Sequence, residues 1–429
     1  MEDGDEPRPR VLMLTHRVPW PPDRGDRVRS WHVLREMSGW AEVWLASVDR
    51  EGEYTAGAKA ALHAVCERVH AEGVAGTGQR AGAAVRGAMG VLKGSVTAGV
   101  LSEPGLVRVV KEWLAETRFD WVYVFCSGMW GVVERAGLDG QGTPHRLWVD
   151  LVDIDSAKWR GLAERLPRWD PKRWVYAREA DQISAVERRV GALADRGDGA
   201  VVSVISERER EVYNGVMGGP ADQVVVLGNG VDLEARPELP DAGGEASGGA
   251  GGGVGGEVVF VGVLDYGPNV EAVRWLAERV WPRVINEEPG AVLRVVGRSP
   301  GTEVLRLGGL PGVEVVGPVA DVVEGAYLGA VAASAPLRVA PGVQNKVLEA
   351  MACGRAVVCS SAAAAGIDAA PGRELLVADD EAEHARVLVR LMRDGGWRRA
   401  IGSAARARVE ASYAWSARLA PLRAVMAGR

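Results

Sequence analysis

Lys346 and Glu349 stand three positions apart in VQNKVLEAMACG, behind a strand-like run and a Pro-Gly loop. On a helix this spacing puts an ammonium and a carboxylate on one face. A lysine so placed can neutralise a diphosphate, and a carboxylate can accept both hydroxyls of a ribose. The plainer alternative is a surface ion pair, which contributes about 0.5 kcal/mol. Because the helix follows a strand and its loop, both side chains are expected to face a cleft between two domains.

A second constellation follows the first apolar run, VLML, in THRVPWPPDRGDRVRSWHVL from position 15. Ligands of α/β proteins gather beyond the carboxyl ends of strands. Gly25 lets the backbone approach a ligand closely, the prolines stiffen the loop, and a helix starting near Arg27 aims free N–H groups at the same space. Arg17, Arg24, Arg27 and Arg29 can add charge-assisted bonds to phosphate or carboxylate. The alternative is a solvated polar turn in which Asp26 and its neighbours pair with the arginines. His16 and His32 flank the loop, with a structural hydrogen bond as their default role.

Asp153 and Asp155 spell DID. Two carboxylates at this spacing can hold a divalent cation only on an extended or turned backbone. The segment reads equally as a strand, a turn and a helix start capped by Asp155 or Ser156, or as the source of an acceptor-site carboxylate at Asp153. GxGxxG occurs at Gly251, Gly253 and Gly256, but without a strand before it and a helix after it the motif is a linker and no dinucleotide site. HExxH, GxSxG and GxxxxGK[ST] do not occur.

The elements that must position these residues are legible as runs. With 429 residues, 47% apolar and 25% charged, the chain suits two soluble domains. Val-rich runs at 11–15, 42–48, 121–125, 146–153, 200–206 and 224–229 precede a segment, 236–256, with nine glycines in 21 positions; further runs follow at 257–262, 292–297, 313–317, 329–337, 355–361 and 374–379. Separated by helix-length segments, they predict two doubly wound, Rossmann-like parallel sheets covered on both faces. The predicted layout is 1–235, a flexible linker 236–256, 257–410 and a terminal 411–429. One helix is expected to start at Asn269 as its cap, and another through 345–353 to stop at Gly354.

A net charge of −6 argues against a general nucleic-acid partner. Cys66, Cys126, Cys353 and Cys359 are too scattered for a zinc site or disulfide framework and fit reduced cytoplasmic thiols. The acidic start MEDGDEPRPR lacks a signal-like apolar core, and no run is long enough to span a membrane. Between Lys158 and Arg178, seven basic residues accompany two acidic ones, with Trp159, Trp169 and Trp174 interleaved. Such a stretch either touches anionic headgroups on the inner face of a membrane or is a solvated helix with buried tryptophan.

Together, the loop after the first strand, NGVD at 229–232, VGVLDYGPN at 261–269 and NKVLEAMACGRAVV at 345–358 resemble the retaining glycosyltransferases of family 4, which have the GT-B fold. More narrowly, THRVPWPPDRGDRVRSWHVL, VDLVDIDSAKWRGLA and VQNKVLEAMA are similar to bacterial sugar transferases associated with exosortase and exopolysaccharide loci. The resemblance runs from Val11 to Met426 and implies a nucleotide-sugar donor on the C-terminal domain and a glycan or polyprenyl-linked acceptor on the N-terminal one. It implies that Glu349 holds the donor ribose, Lys346 compensates the diphosphate, and Gly262, Asp265 and Asn269 line the diphosphate side; the basic residue many members carry at the start of this domain is missing, which leaves Lys346 and Arg338 for that role, and Asn345 is a further donor-binding candidate. It brings Gly25 and Asp26 toward the donor or acceptor from the opposite domain, where Arg17, Arg29 and Asp153 are the further candidate loop and acceptor residues, and makes the terminal segment a helix that crosses back to the first domain. Pro341 stands where the broader family often carries a sugar-contacting Glu. The expected chemistry is transfer with retention, without metal or cofactor, aided by closure across the linker; an NDP-sugar epimerase and a binding protein with a decayed site are the rivals.

Overall fold

The computed structural model describes residues 8–23, 25–73, 95–139, 143–195, 199–219, 224–242, 256–340 and 343–428. Arg24, Pro341 and the run 243–255 that carries most of the GxGxxG lie outside them. The chain divides into two units, Met1–Asn229 with Arg418–Arg429, and Gly230–Ala417.

In the first unit a seven-stranded parallel sheet has the order β3-β2-β1-β4-β5-β6-β7. The strands are β1 (Arg10–Thr15), β2 (Glu42–Asp49), β3 (Arg68–Gly73), β4 (Trp121–Phe125), β5 (Arg146–Val152), β6 (Ala200–Val204) and β7 (Val224–Val226). Central strands are buried on both faces, which is why RVLMLT and WVYVF read as unbroken apolar runs. β1 lies between β2 and β4, with Val11 opposite Val43 on one side and Trp121 on the other. Trp130 and Trp148 are fully buried, and Trp44 meets Trp113 and Phe119 edge to face at 5.3 and 5.2 Å. Edge-to-face pairs contribute about 1 kcal/mol beyond their burial, so much of the tryptophan content is core. The terminal helix Trp415–Met426 supplies this unit from Arg418 onward, and Trp121 Nε1 donates to the Met426 carbonyl at 3.1 Å.

In the second unit a six-stranded parallel sheet has the order β10-β9-β8-β11-β12-β13. Its strands are β8 (Glu257–Val261), β9 (Val292–Val296), β10 (Val313–Gly317), β11 (Ala330–Ala335), β12 (Ala356–Cys359) and β13 (Leu376–Val377). Strand order reverses direction between β8 and β11 here, and between β1 and β4 in the first unit. Loops at such a switch point splay apart and leave a crevice at the carboxyl edge of the sheet.

The expected boundary within 236–256 is corrected. The units separate at Asn229/Gly230, and the start of the supposed linker packs into the second unit. Leu239 N–H donates to the Cys353 carbonyl at 3.1 Å, and Arg398 grips Asp241 through two bonds of 2.7 and 2.8 Å. Gly230 is needed where it stands, since a Cβ would lie 2.6 Å from the Trp415 Cα.

Candidate functional site

The second unit carries the first cluster at the carboxyl edges of β8 and β9 and on the helix Asn345–Ala352 that follows β11. Gly262 follows β8 and Gly297 follows β9; a Cβ on Gly297 would come within 1.6 Å of the Gly262 carbonyl oxygen. Only glycine permits two loop backbones to meet so closely. A Cβ on Gly262 would in turn lie 3.0 Å from Lys346 Nζ, so the ammonium sits directly over this bare backbone.

Lys346 is held by neutral groups. Nζ donates to Asn269 Oδ1 at 2.5 Å and lies 4.7 Å from the centre of the Phe260 ring. Among the described residues no carboxylate is within ion-pairing distance of it. Burial brings its pKa down to about 8, with Glu349 pulling the other way. A cation with its charge uncancelled beside bare backbone can meet a phosphate.

Glu349 lies one helical turn further on. Burial raises its pKa, opposed by Arg236, whose Nη2 stands 3.4 Å from Oε1. Arg236 was assigned to the linker by sequence, and nothing local to it signals this role. Tyr327, fully buried, donates its hydroxyl to the Lys346 carbonyl at 3.3 Å and fixes the first turn of the helix.

The remaining donor-side residues divide. Asn269 is at the site, but as a buried bracket and not a cap: the helix is Gly267–Trp275, Tyr266 occupies the cap, and Asn269 Nδ2 donates to the Val263 carbonyl at 2.8 Å. With both ends of its amide engaged, it orients Lys346. Asp265 and Asn345 are exposed, and Gln344 caps the helix that Asn345 begins. Arg338 is exposed and 3.6 Å from Glu271, so it is not drawn into the Lys346 cluster. It lines a cavity of about 230 Å³ with Trp275, Leu337, Ser360 and Asp379, beyond the carboxyl ends of β11, β12 and β13.

The first unit consumes most of its loop arginines internally. Arg29 is 1% exposed, and its guanidinium binds Asp150 through Nε at 2.9 Å and Nη2 at 3.0 Å while Nη1 donates to Asn229 at 2.9 Å. Tyr123 and Ser203 hydroxyls complete the carboxylate at 2.6 and 3.0 Å. The expectation that Arg29 faces a ligand is therefore corrected: it is turned into the core, where Asp150 on strand β5 neutralises it. Arg17 meets Asp26, Glu51 and Glu53 at 3.3, 3.0 and 3.2 Å, and Arg27 meets Asp23 and Glu53. The acids after β2 supply what the loop lacks. Gly25 begins the helix Gly25–Ser38 and is exposed, with open space where a Cβ would stand.

Around the switch point of this sheet lie His16, Asp26, Cys126, Ser127 and Asp155. His16 Nε2 is 3.3 Å from Asp26, Nδ1 is 3.6 Å from Cys126 Sγ, and the ring stacks on Phe125. Burial works against its charged form, but Cys126 and Asp26 outweigh it and raise its pKa. Cys126 and Val152, which close β4 and β5, have φ of 66° and 65°, a strained conformation for non-glycine residues. Asp155 is the first residue of the helix Asp155–Glu164, not its cap; its carboxylate accepts the Ser127 hydroxyl at 2.7 Å. Asp153 is exposed.

Residues 255–394 match the family model described as Glycosyl transferases group 1, so the second unit carries a glycosyltransferase domain. No curated protein matches the chain in sequence. Among solved structures, HepE of Anabaena in complex with UDP and glucose is 17% identical over 98% of this chain and 99% of its own, with a TM-score of 0.56. Sucrose-phosphate synthase of Thermosynechococcus elongatus is 17% identical over 98% and 100%, at 0.55, and a Rickettsia africae glycosyltransferase is 10% identical over 98% and 98%, at 0.60. At such identities the likeness is one of fold, and the fold is GT-B.

Proposed function

We propose that the protein transfers a sugar from a nucleoside-diphosphate donor, with retention at the anomeric carbon and without a metal, to a glycan or polyprenyl-linked acceptor of bacterial exopolysaccharide synthesis. The observation that carries the donor half is Lys346, an ammonium held by Asn269 and Phe260 over the Gly262 backbone, with no carboxylate among the described residues within ion-pairing distance. The barrier to glycosyl transfer is departure of a diphosphate on which charge develops, and a preorganised cation in a partly dry site lowers it. Glu349, 3.4 Å from Arg236, takes the ribose hydroxyls. HepE, which shares the fold, was crystallised with UDP and glucose, which supports a uridine or related nucleotide here. On this reading the leaving phosphate assists deprotonation of the acceptor, and no protein nucleophile is required. The enzyme works on the cytoplasmic side, where nucleotide sugars are made.

A thermal-shift panel of nucleoside diphosphates and their sugars tests the donor site. One nucleotide series should raise the midpoint of the native protein and leave Lys346→Ala and Glu349→Ala unmoved. If no nucleotide does so, or both variants respond like the native chain, the placement is wrong. With the donor known, product NMR should show a retained anomer, and activity should survive EDTA; an inverted product or an absolute requirement for Mn²⁺ or Mg²⁺ would refute those two clauses separately.

A further inference from the structure

The basic, tryptophan-bearing segment has no part in the site above. Its two helices, Asp155–Glu164 and Pro171–Asp195, pack against each other and are joined by the turn 165–170. The turn is ordered by Asp170 N–H to the Pro167 carbonyl at 3.0 Å, Lys172 N–H to Asp170 at 2.8 Å and Arg173 to the Leu166 carbonyl at 2.9 Å. Trp159 braces the pair from within, 5.1 Å from the Tyr176 ring.

The other two tryptophans have no such use. Trp169, in the turn, is 83% exposed; Trp174, in the first turn of the second helix, is 60% exposed; and Leu162, at the end of the first, is 38% exposed. Of the exposed large hydrophobics in the first unit, these three are the ones present among the described residues. Arg165, Arg168 and Lys172 are interspersed with them and make no ion pair among the described residues. Seven basic residues against two acidic ones give this stretch a strong positive balance in a chain whose net charge is −6. Exposed indole is costly in water and common at membrane interfaces, where the ring sits at headgroup depth. Neither half of the pattern explains the other: salt-bridging or solubility would account for the arginines, not for two bare tryptophans between them.

We propose that this turn docks the protein on the surface of an anionic bilayer, with Trp169 and Trp174 entering the headgroup region and Arg165, Arg168 and Lys172 meeting phosphate. The attachment proposed is peripheral; among the described residues no helix is long and apolar enough to cross a membrane. It is reversible and weakened by salt, because the charges are exposed and lie within a Debye length of the surface. The proposal stands independently of the reading of Lys346 and Glu349.

Flotation of the full chain with vesicles tests it. Binding is expected to equal parts of phosphatidylcholine and phosphatidylglycerol and not to phosphatidylcholine alone, with release as salt rises. Charge reversal of Arg165, Arg168 and Lys172 to Glu should weaken partitioning roughly a hundredfold or more. Trp169→Ser with Trp174→Ser should weaken it about tenfold at unchanged charge. Nucleotide affinity, measured by calorimetry on the same variants, should not move. No binding to the anionic vesicles, or binding indifferent to both sets of substitutions, overturns the proposal. Capture by heparin without vesicle binding also overturns it, by assigning the face to a soluble polyanion. Should the charge-reversed variant misfold, the salt titration of the native chain and the tryptophan pair still decide.

Discussion

The pH dependence of nucleotide binding should turn on Lys346. Its ammonium is over Phe260 and bonded to a neutral amide, and burial brings its pKa from 10.5 to about 8. A diphosphate needs the charged form, so above that pH each binding event must first load a proton onto the lysine. The dissociation constant then scales as one plus the ratio of neutral to charged lysine. It should be near its limit at about pH 7, about twofold weaker near pH 8 and about tenfold weaker near pH 9. Calorimetry in buffers of different ionisation enthalpy should show uptake rising from about zero to about one proton per nucleotide across that range. Lys346→Arg keeps the charge at every pH and should flatten both curves. The fold responds with the opposite sign. Between pH about 8 and 10.5 the native state has released a proton that the unfolded chain retains, so this residue's contribution makes the protein more stable as pH rises through that window and changes nothing below it. A native affinity that stays flat across the range, or a Lys346→Arg variant with the same slope, would refute the assignment of this cation to the anion.

Three further substitutions separate the roles of the neighbouring groups. Gly297→Ala puts a methyl 1.6 Å from a backbone oxygen that cannot step aside, and should lower stability by about 3 kcal/mol in urea and abolish nucleotide binding. Gly262→Ala meets only the side-chain ends of Asn269 and Lys346, so stability should change by less than about 1 kcal/mol while affinity falls about tenfold; equal destabilisation by both would contradict the difference drawn between them. Arg236→Ala removes the cation that opposes the burial-driven rise of the Glu349 pKa, and the loss of nucleotide affinity on the acid side should then begin at a higher pH in the variant than in the native protein. Asp150→Asn leaves the buried Arg29 without its countercharge and should cost about 4 kcal/mol in denaturant unfolding, a loss below about 1 kcal/mol being incompatible with a sealed pair.

The fold was legible because buried parallel strands must be apolar on both faces, and twelve of the thirteen strands among the described residues coincide with Val-rich runs. The exception, β3, reads RVHAEG; as an edge strand it is only partly buried, and its mixed composition carries no periodic signal. The site was legible where the cause is local. Lys346 and Glu349 share a helix face by spacing alone, and Gly354, at φ 70°, stops that helix as expected. It failed where the partner is distant: Arg29 finds Asp150 121 residues away, and Arg236 finds Glu349 113 residues away. No window of sequence contains either pair.

The two loops also show why density of charge is a poor guide to where a charge is available. The loop after β1 holds several arginines, but those the structure describes find carboxylates within about hydrogen-bonding reach, at 3.3 Å or closer for Arg17 and 3.0 Å for Arg29. Their positive charge is largely cancelled before any ligand arrives. The second unit brings a single lysine to its switch point and sets it beside an aromatic ring, an amide and the bare backbone of Gly262. None of these partners can cancel its charge, and Glu349, outside ion-pairing distance, only moderates it. An ammonium without a close ion pair in a half-dry setting pulls on a diphosphate more strongly than a cluster of arginines already paired with acids. The depressed pKa of Lys346 is the same fact seen from the free protein: the position disfavours a cation until an anion joins it, and the ligand recovers that difference on binding.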